Sequence, residues 1–195
     1  MTKLLRLALL AALAQSGEVV VVGPTLNASW IWAADGVRIR RAGPGPYDGF
    51  PVEKDPARPG DAVVVVEIPE ATAAGVIHAG LAFASDYRAV DCASFRDAGV
   101  LEFWIRGGTG GEDVEVGLYG AGSDGSKQMA ILPVSKFSKV TKDWQRVRIP
   151  LRDLAAQSPN LDFARLNQVA LHSIAGRTIL TLRLAGIRIR IPADR

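Results

Sequence analysis

Three stretches between Gly99 and Leu151 alternate buried-type and polar-type positions with a period of two. The first set of positions is Leu101, Phe103 and Ile105, then Val114, Val116 and Leu118, then Gln145, Val147, Ile149 and Leu151. The alternate positions are Glu102, Trp104 and Arg106, then Glu115, Gly117 and Tyr119, then Trp144, Arg146, Arg148 and Pro150. Strict alternation is typical of strands with one buried face, and glycine-rich turns separate the first two stretches. Successive strands of this kind predict an antiparallel sandwich or barrel.

Further apolar or alternating runs predict strands along the rest of the chain. They cover residues 18–22, a strand pair within 29–40, and residues 62–68, 75–84, 128–134, 169–174, 178–184 and 186–191. Leu151 to Gln157 predicts one short helical turn, and Asp162 is a candidate cap for a second turn over 163–166. The pattern predicts about ten strands and no helix of normal length. The fold class is therefore all-β, an antiparallel β-sandwich.

The first 16 residues differ from the rest of the chain. Lys3 and Arg6 precede an uncharged run, Leu7 to Ala14, which ends in small residues at the spacing a signal peptidase reads. This pattern predicts a signal peptide over 1–16, a secreted or periplasmic location, and a single sandwich domain over 17–195. The alternative is an amphipathic helix packed on the domain. The run is too short to span a bilayer.

Composition excludes several classes of protein. A chain of 195 residues, 48% hydrophobic and 22% charged, can bury a core without disulfides or a structural metal. The single cysteine, Cys92, cannot form an intrachain disulfide. Without Lys3 and Arg6 the net charge falls from +3 to +1, so the charge does not indicate a nucleic-acid partner.

Enzyme signatures are weak. The sequence has no GxSxG, HExxH or P-loop motif, and its two histidines, His78 and His172, are far apart. Paired carboxylates for glycoside hydrolysis would have to come from the acids around one predicted hairpin, which are Glu102, Glu112, Asp113 and Glu115. Acids at a hairpin are usually solvated, so a small glycan-acting enzyme is the least favoured hypothesis.

Several motifs in this order resemble a known family. They are LEFWIRGG, GGE, GLY, WQRVRIPLRDL, LNQVALHS and GIRIRI, and the matching residues include Leu101, Phe103, Trp104, Trp144, Val147, Ile149, Pro150, Leu151, Asp153 and Leu154. Over about residues 60–192 the chain resembles the galactose-binding-like jelly-roll domains of bacterial carbohydrate-active proteins. These include carbohydrate-binding modules and the C-terminal accessory domain of some family 3 glucan glucohydrolases. The shared motifs are core and turn residues, so they indicate the fold better than the function.

The resemblance also bears on cofactors. Family members often carry an aspartate-asparagine pair before the last strand, near a structural calcium, and here those positions are Ala185 and Gly186. We expect no cofactor, and a calcium site would have to draw on other oxygen ligands such as Asp35, Asp61 or Glu67.

The resemblance implies non-catalytic binding of a polysaccharide or oligosaccharide by a monomeric domain. Aromatic rings suit the apolar face of a sugar, and planar polar groups suit its hydroxyls. The candidate ligand-binding residues on a sheet face are Glu102, Trp104, Arg106, Tyr119, Arg146, Arg148 and His172. The alternatives are that Trp104 is structural, or that ligand binds at a loop end near Trp30, Trp32, Tyr47, Phe50 and Tyr87.

A basic stripe leaves a further possibility open. Its alternate outward positions are Arg38, Arg40, Arg183, Arg188 and Arg190, which suit an acidic polysaccharide or a membrane surface unless they are paired with surface acids. Interleaved aromatics in basic loops are missing, so nucleic acid is not indicated. The alternative function is a structural or protein-interaction domain of the cell envelope without a sugar site.

Overall fold

The computed structural model describes residues 17–21, 31–33, 38–39, 57, 63–68, 77–83, 88–173 and 180–192. The predicted signal peptide at 1–16 lies outside these residues. The described strands are β1 (Glu18–Val20), β2 (Ile31–Ala33), β3 (Arg38–Ile39), β4 (Val63–Ile68), β5 (Ile77–Ala82), β6 (Val100–Gly107), β7 (Val114–Gly122), β8 (Lys127–Pro133), β9 (Gln145–Pro150), β10 (Leu161–Ser173) and β11 (Leu180–Arg190). Among the described residues, one α-helix, α1 (Leu151–Gln157), and two single turns of 3-10 helix (Ala93–Phe95 and Val134–Lys136) connect them.

The strands form two antiparallel sheets. The six-stranded sheet has the order β3-β4-β11-β6-β9, with β1 also paired to β11. The five-stranded sheet has the order β2-β5-β10-β7-β8. This arrangement confirms the predicted antiparallel β-sandwich.

One hydrophobic core lies between the sheets. Leu101, Phe103 and Ile105 of β6 are at most 1% exposed, and so are Val116 and Leu118 of β7. All of them belong to one contiguous cluster. The alternation therefore identified the inner face of these strands correctly, because every second side chain of a strand points the same way.

The short helical turn predicted after Pro150 is α1. Leu151, Leu154 and Ala155 form its buried side, and the Gln157 side chain accepts a hydrogen bond from the Ile131 amide of β8 at 3.2 Å. Pro150 is the N-cap residue of α1 and keeps an extended ψ of 130°, so the strand β9 ends and the helix begins at this residue. The helix closes the core between β9 and β8.

The predicted hairpin between β6 and β7 is wrong. β6 pairs with β11 and β9, whereas β7 pairs with β10 and β8, so the glycine-rich connection carries the chain from one sheet to the other. Gly110 and Gly111 in this connection have φ values of 84° and 81°, which favour glycine. Alternation identifies a strand and its faces, but it does not identify the partner strand.

Three other details differ from expectation. Residues 163–166 belong to β10 and form no helical turn, although the Asp162 carboxylate does accept a hydrogen bond from the Ala164 amide at 2.9 Å. Within the described residues, the two strands predicted over 178–184 and 186–191 are replaced by the single strand β11 (Leu180–Arg190), with an irregular register near Gly186, whose φ is 57°. Ile191, the last residue of the predicted strand over 186–191, is 47% exposed because it lies beyond the end of β11.

The strand pair predicted within 29–40 is also wrong. β2 pairs with β5 in the five-stranded sheet, and β3 pairs with β4 in the six-stranded sheet. Two short strands close in sequence therefore belong to opposite layers.

Candidate functional site

The structure divides the predicted ligand-binding residues between the two outer faces of the sandwich. Glu102, Trp104 and Arg106 lie on β6, and Arg146 and Arg148 lie on β9, in the six-stranded sheet. The other two, Tyr119 on β7 and His172 on β10, lie in the five-stranded sheet. One groove cannot contain all seven, because the core separates the two outer faces. The sequence could not show this, since both faces have the same period.

On the six-stranded sheet, Glu102 is surrounded by arginines. Its Oε2 accepts hydrogen bonds from Arg146 at 2.8 Å, Arg148 at 2.9 Å and Arg190 at 3.0 Å, and Arg188 Nε lies 3.4 Å from Oε1. We call these five residues the arginine cluster. Its carboxylate is 0% exposed, although it points away from the core, because the guanidinium groups cover it.

The arginines determine the charge state of Glu102. Burial of the carboxyl opposes ionisation, but the hydrogen bonds from Arg190, Arg148 and Arg146 lower its pKa to about 2. Glu102 is therefore a permanent anion at physiological pH, and it cannot act as the general acid of a glycosidase. Its predicted proximity to Glu115 is wrong, because the two residues lie in different sheets.

Next to the arginine cluster, Trp104 and Trp144 are half-buried and pack against a small apolar group on the same face. That group consists of Val63, Val65 and Ala185, all of them 0% exposed. The Arg106 guanidinium lies 5.3 Å from the centre of the Trp144 ring. Both indole rings therefore already make contacts within the protein, which favours the structural interpretation of Trp104 that the sequence left open.

The outer face of the five-stranded sheet is different in character. One register row crosses all five strands in the order Trp32, Gly80, Ala170, Gly117, Ile131, so three small residues occupy its three central strands. The adjacent row contains Gln168, Tyr119 and Met129 on β10, β7 and β8. We call this surface the small-residue face.

Gly117 is required where it lies. A Cβ at this position would collide with the carbonyl oxygen of Ala130 in the neighbouring strand β8. The close approach of β7 and β8 therefore depends on glycine, and it also keeps the row shallow at this strand.

Polar groups border the small-residue face. His172 lies opposite Glu115, and Gln168 lies opposite Tyr119. Tyr119 and Glu115 are half-buried, whereas Gln168 and His172 are 1% and 0% exposed. Burial and the nearby Asp113 raise the pKa of Glu115 above its ordinary value.

Sequence reasoning missed Gln168 and Ala170 as members of this face. A usable pattern was present, because both alternate with the buried Val169 and Leu171, as His172 does. Glycine and alanine carry no chemical group that marks a binding site in a sequence, whereas large aromatic and charged side chains do.

Two candidate reactive groups have structural roles. Cys92 is 0% exposed, and burial, with a smaller effect of Asp91, raises the pKa of its thiol to about 12. Glu112 accepts hydrogen bonds from the backbone and hydroxyl of Thr109 at 2.6 and 3.0 Å, which stabilises the connection between β6 and β7. Neither group is available as a nucleophile or general acid.

Other expectations concern residues that the structure does not describe. Asp35 and Asp61, the possible calcium ligands, lie outside the described residues, as do Trp30, Tyr47, Phe50 and Tyr87 of the possible loop-end site. Among the described residues, no three or more His, Cys, Asp or Glu side chains are grouped so that they could hold a metal ion. The described helices are all too short or too polar to cross a membrane.

Several solved structures with this fold are carbohydrate-binding modules. A family 30 module, solved as a crystal structure, matches 90% of this chain and 99% of its own with a TM-score of 0.71 and 22% identity. The family 30 module of a cellulosomal cellulase of Clostridium thermocellum matches 91% of this chain and 99% of its own, with a TM-score of 0.67 and 18% identity. A family 11 module of the same organism, in complex with a β-1,3-1,4-mixed-linked tetrasaccharide, matches 92% and 98% with a TM-score of 0.55 and 11% identity.

The family itself is defined by sequence. No curated protein sequence is significantly similar to the whole chain. The sequence model of the family described as carbohydrate binding domain 30, however, matches residues 25–190. This range includes both sheets from β2 to β11. The chain therefore belongs to the carbohydrate binding domain 30 family.

Proposed function

We propose that this chain is a non-catalytic module that binds a neutral β-linked glucan on the small-residue face. Carbohydrate binding follows from the family. The choice of this face rests chiefly on one observation, the row of Gly80, Ala170 and Gly117 across the middle of the five-stranded sheet.

The shape of this row suits an extended ligand. The three central side chains end at Cβ or at Cα, and the row begins at Trp32 and ends at Ile131, so we take the row as the floor of a shallow trough. Ala170 and Gly117 are buried, so the accessible part of this trough is its half-buried border. A glucan chain that lies along this trough would contact the half-buried residues of its border, which include Tyr119, Met129 and Ile131. Binding sites for sugars are generally concave in this way, with a few polar groups that fix orientation.

Tyr119 is the proposed stacking residue. Its ring is half-buried, which holds it in place, and its position beside the trough suits contact with the apolar face of a sugar. The half-buried Glu115 is the proposed acceptor for sugar hydroxyls. The buried Gln168 and His172 are assigned as positioning residues opposite these two.

The six-stranded face is less suited to a neutral sugar. Trp104 and Trp144 pack on Val63, Val65 and Ala185, and Arg106 lies against the Trp144 ring. Stacking a sugar there would displace existing contacts. The sequence-based assignment of Trp104, Arg106, Arg146 and Arg148 to the sugar site is therefore replaced by Tyr119 and Glu115.

The absence of catalysis is part of the proposal. A glycosidase of the usual kind needs two carboxyls on either side of the scissile bond. Glu102 is an anion paired with arginines on one sheet, and Glu115 lies on the other sheet. The two carboxyl groups therefore cannot act together on one glycosidic bond. We further propose that the chain is secreted or periplasmic and monomeric, since polysaccharide substrates lie outside the cell and the pattern at 1–16 is that of a signal peptide.

The test is affinity electrophoresis in gels that contain mixed-linked β-1,3-1,4-glucan, with a reducing-sugar assay on the same samples. The variants Tyr119→Leu and Trp104→Leu both replace a half-buried aromatic ring with an aliphatic side chain, on opposite faces. We expect loss of retardation for Tyr119→Leu only, and no release of reducing sugar by any sample.

Other outcomes would count against the proposal in distinct ways. Loss of retardation with Trp104→Leu alone, in a protein that remains folded, would assign the site to the six-stranded face. Failure of the wild-type chain to bind neutral or acidic glycans would favour the structural or protein-interaction alternative. Hydrolysis of the glucan would refute the non-catalytic assignment.

A further inference from the structure

We propose that the arginine cluster is a second binding site, specific for the carboxylates of an acidic polysaccharide such as a polymer of uronic acids. It lies on the six-stranded sheet, on the opposite side of the sandwich from the small-residue face. The proposal of this second site is therefore independent of the proposal of the glucan site.

The cluster has an excess of positive charge. Arg146, Arg148, Arg188 and Arg190 contact the single carboxylate of Glu102, and one further acid, Glu18, lies 3.6 Å from Arg188. Among the described residues, four cations against two anions leave two positive charges uncompensated within the group. Guanidinium groups held this close repel one another, and a bound anion would relieve that repulsion.

The arginines also have unused hydrogen-bond donors. Each guanidinium carries five N–H donors, whereas three of them share the one oxygen Oε2. The Nε atoms of Arg188 and Arg190 are buried, so the donors offered to a ligand are the terminal N–H groups. The side chains are 22–41% exposed, so part of each guanidinium faces solvent.

The spacing of the cations suits a carboxylated chain. Arg148 and Arg188 lie in one register row on either side of Glu102, two strands apart, which corresponds to about 10 Å. A guanidinium group binds a planar carboxylate through two parallel N–H···O hydrogen bonds. Glu102 holds the guanidinium groups of the cluster in position for such contacts. A chain that carries carboxylates at intervals can therefore contact several arginines at once. A polysaccharide is the polyanion consistent with a carbohydrate-binding family.

The test is titration calorimetry of the intact chain with polygalacturonate at low ionic strength. The variant Arg146→Gln/Arg148→Gln removes two cations while Glu102 keeps Arg188 and Arg190, so we expect its fold to be retained, which circular dichroism checks. We expect its affinity for polygalacturonate to fall about tenfold or more. Arg165→Gln/Lys127→Gln, an equal loss of two positive charges at exposed residues of β10 and β8, should alter affinity less than about twofold.

A charge-retaining variant separates bidentate binding from simple charge attraction. Arg146→Lys/Arg148→Lys keeps both positive charges but loses the bidentate donors of both guanidinium groups. Its affinity for polygalacturonate should lie between that of wild type and that of the Gln variant. Wild-type affinity in the Gln variant would overturn the proposal. Equal affinity of the wild-type chain for polyphosphate or for phosphatidylglycerol vesicles would also overturn it, since the cluster would then be a general polyanion patch.

The two sites are distinguished by crossing the ligands and variants. Tyr119→Leu should lose mixed-linked glucan and keep polygalacturonate, and Arg146→Gln/Arg148→Gln should do the reverse. Loss of both ligands in either variant would contradict the assignment of separate sites.

Discussion

Arg190 donates a hydrogen bond of 3.0 Å to Glu102, although the two residues lie 88 positions apart in the chain. The contact links β11 to the neighbouring strand β6, and Arg146 and Arg148 extend it to β9. One carboxylate thus ties together three strands of the six-stranded sheet. Its removal should therefore affect the whole fold.

Glu102→Gln should destabilise the protein by about 3 kcal/mol, because it leaves four arginines without their shared counter-charge. Urea unfolding followed by circular dichroism measures the change in the free energy of unfolding. Asp97→Asn, which removes an exposed acid 3.4 Å from Arg96, should change it by less than about 0.5 kcal/mol. Equal effects of the two variants would show that the cluster contributes no more than a surface ion pair.

The stability of the fold should depend on pH in a defined window. The pKa of Glu102 is about 2 in the folded protein against 4.5 ordinarily, so its stabilising contribution is complete above pH 4.5. That contribution is lost as the pH falls from 4.5 toward 2. Unfolding curves through this window should show a steeper loss of stability for wild type than for Glu102→Gln.

The ionisation of Glu115, unlike that of Glu102, should destabilise the folded protein. Its pKa is raised by burial and by Asp113, so the folded state favours the protonated form. Its ionisation therefore costs stability once the pH rises above 4.5 and through the raised pKa. Glu115→Gln should be more stable than wild type at pH 7 and lose that advantage at low pH, and a variant less stable at pH 7 would contradict this.

Much of the fold was predictable from the sequence. The alternation of Leu101, Phe103 and Ile105 identified inner positions because a half-buried strand has only two faces. The pairing of strands was not predictable. The sequences around Glu102 and Glu115 alternate in the same way, yet their strands belong to different sheets. Pairing is decided by contacts between residues such as Glu102 and Arg190, which no local pattern reports.

The candidate site was less predictable for a related reason. Outward positions on both sheets share a period, so Trp104 and Tyr119 appeared to belong to one surface. The need for glycine at position 117 was also not visible in the sequence. It arises because the carbonyl oxygen of Ala130 on the next strand leaves no room for a Cβ.

Gly117→Ala should destabilise the protein by about 2 kcal/mol or more, because the new methyl group must push β7 away from β8. Gly111→Ala provides a comparison, since a Cβ there meets nothing within 4 Å and the cost, about 1 kcal/mol, comes from φ alone. Thermal unfolding of both variants measures the difference. A smaller effect at Gly117 than at Gly111 would mean that the two strands separate easily.

Cys92 should be unreactive in the folded protein. Burial raises the pKa of its thiol to about 12, so little thiolate is present at pH 8. A thiol-specific chromogenic disulfide should react only when urea unfolds the chain. Rapid reaction of the native protein would contradict the burial of this residue.

The most direct test of the proposed site is a titration of isotopically labelled protein with the mixed-linked β-1,3-1,4-tetrasaccharide, followed by amide chemical shifts in nuclear magnetic resonance spectra. We predict the largest shifts at residues 115–119 of β7 and 168–172 of β10. Shifts confined to residues 102–106 and 146–148, on the opposite sheet, would contradict the account.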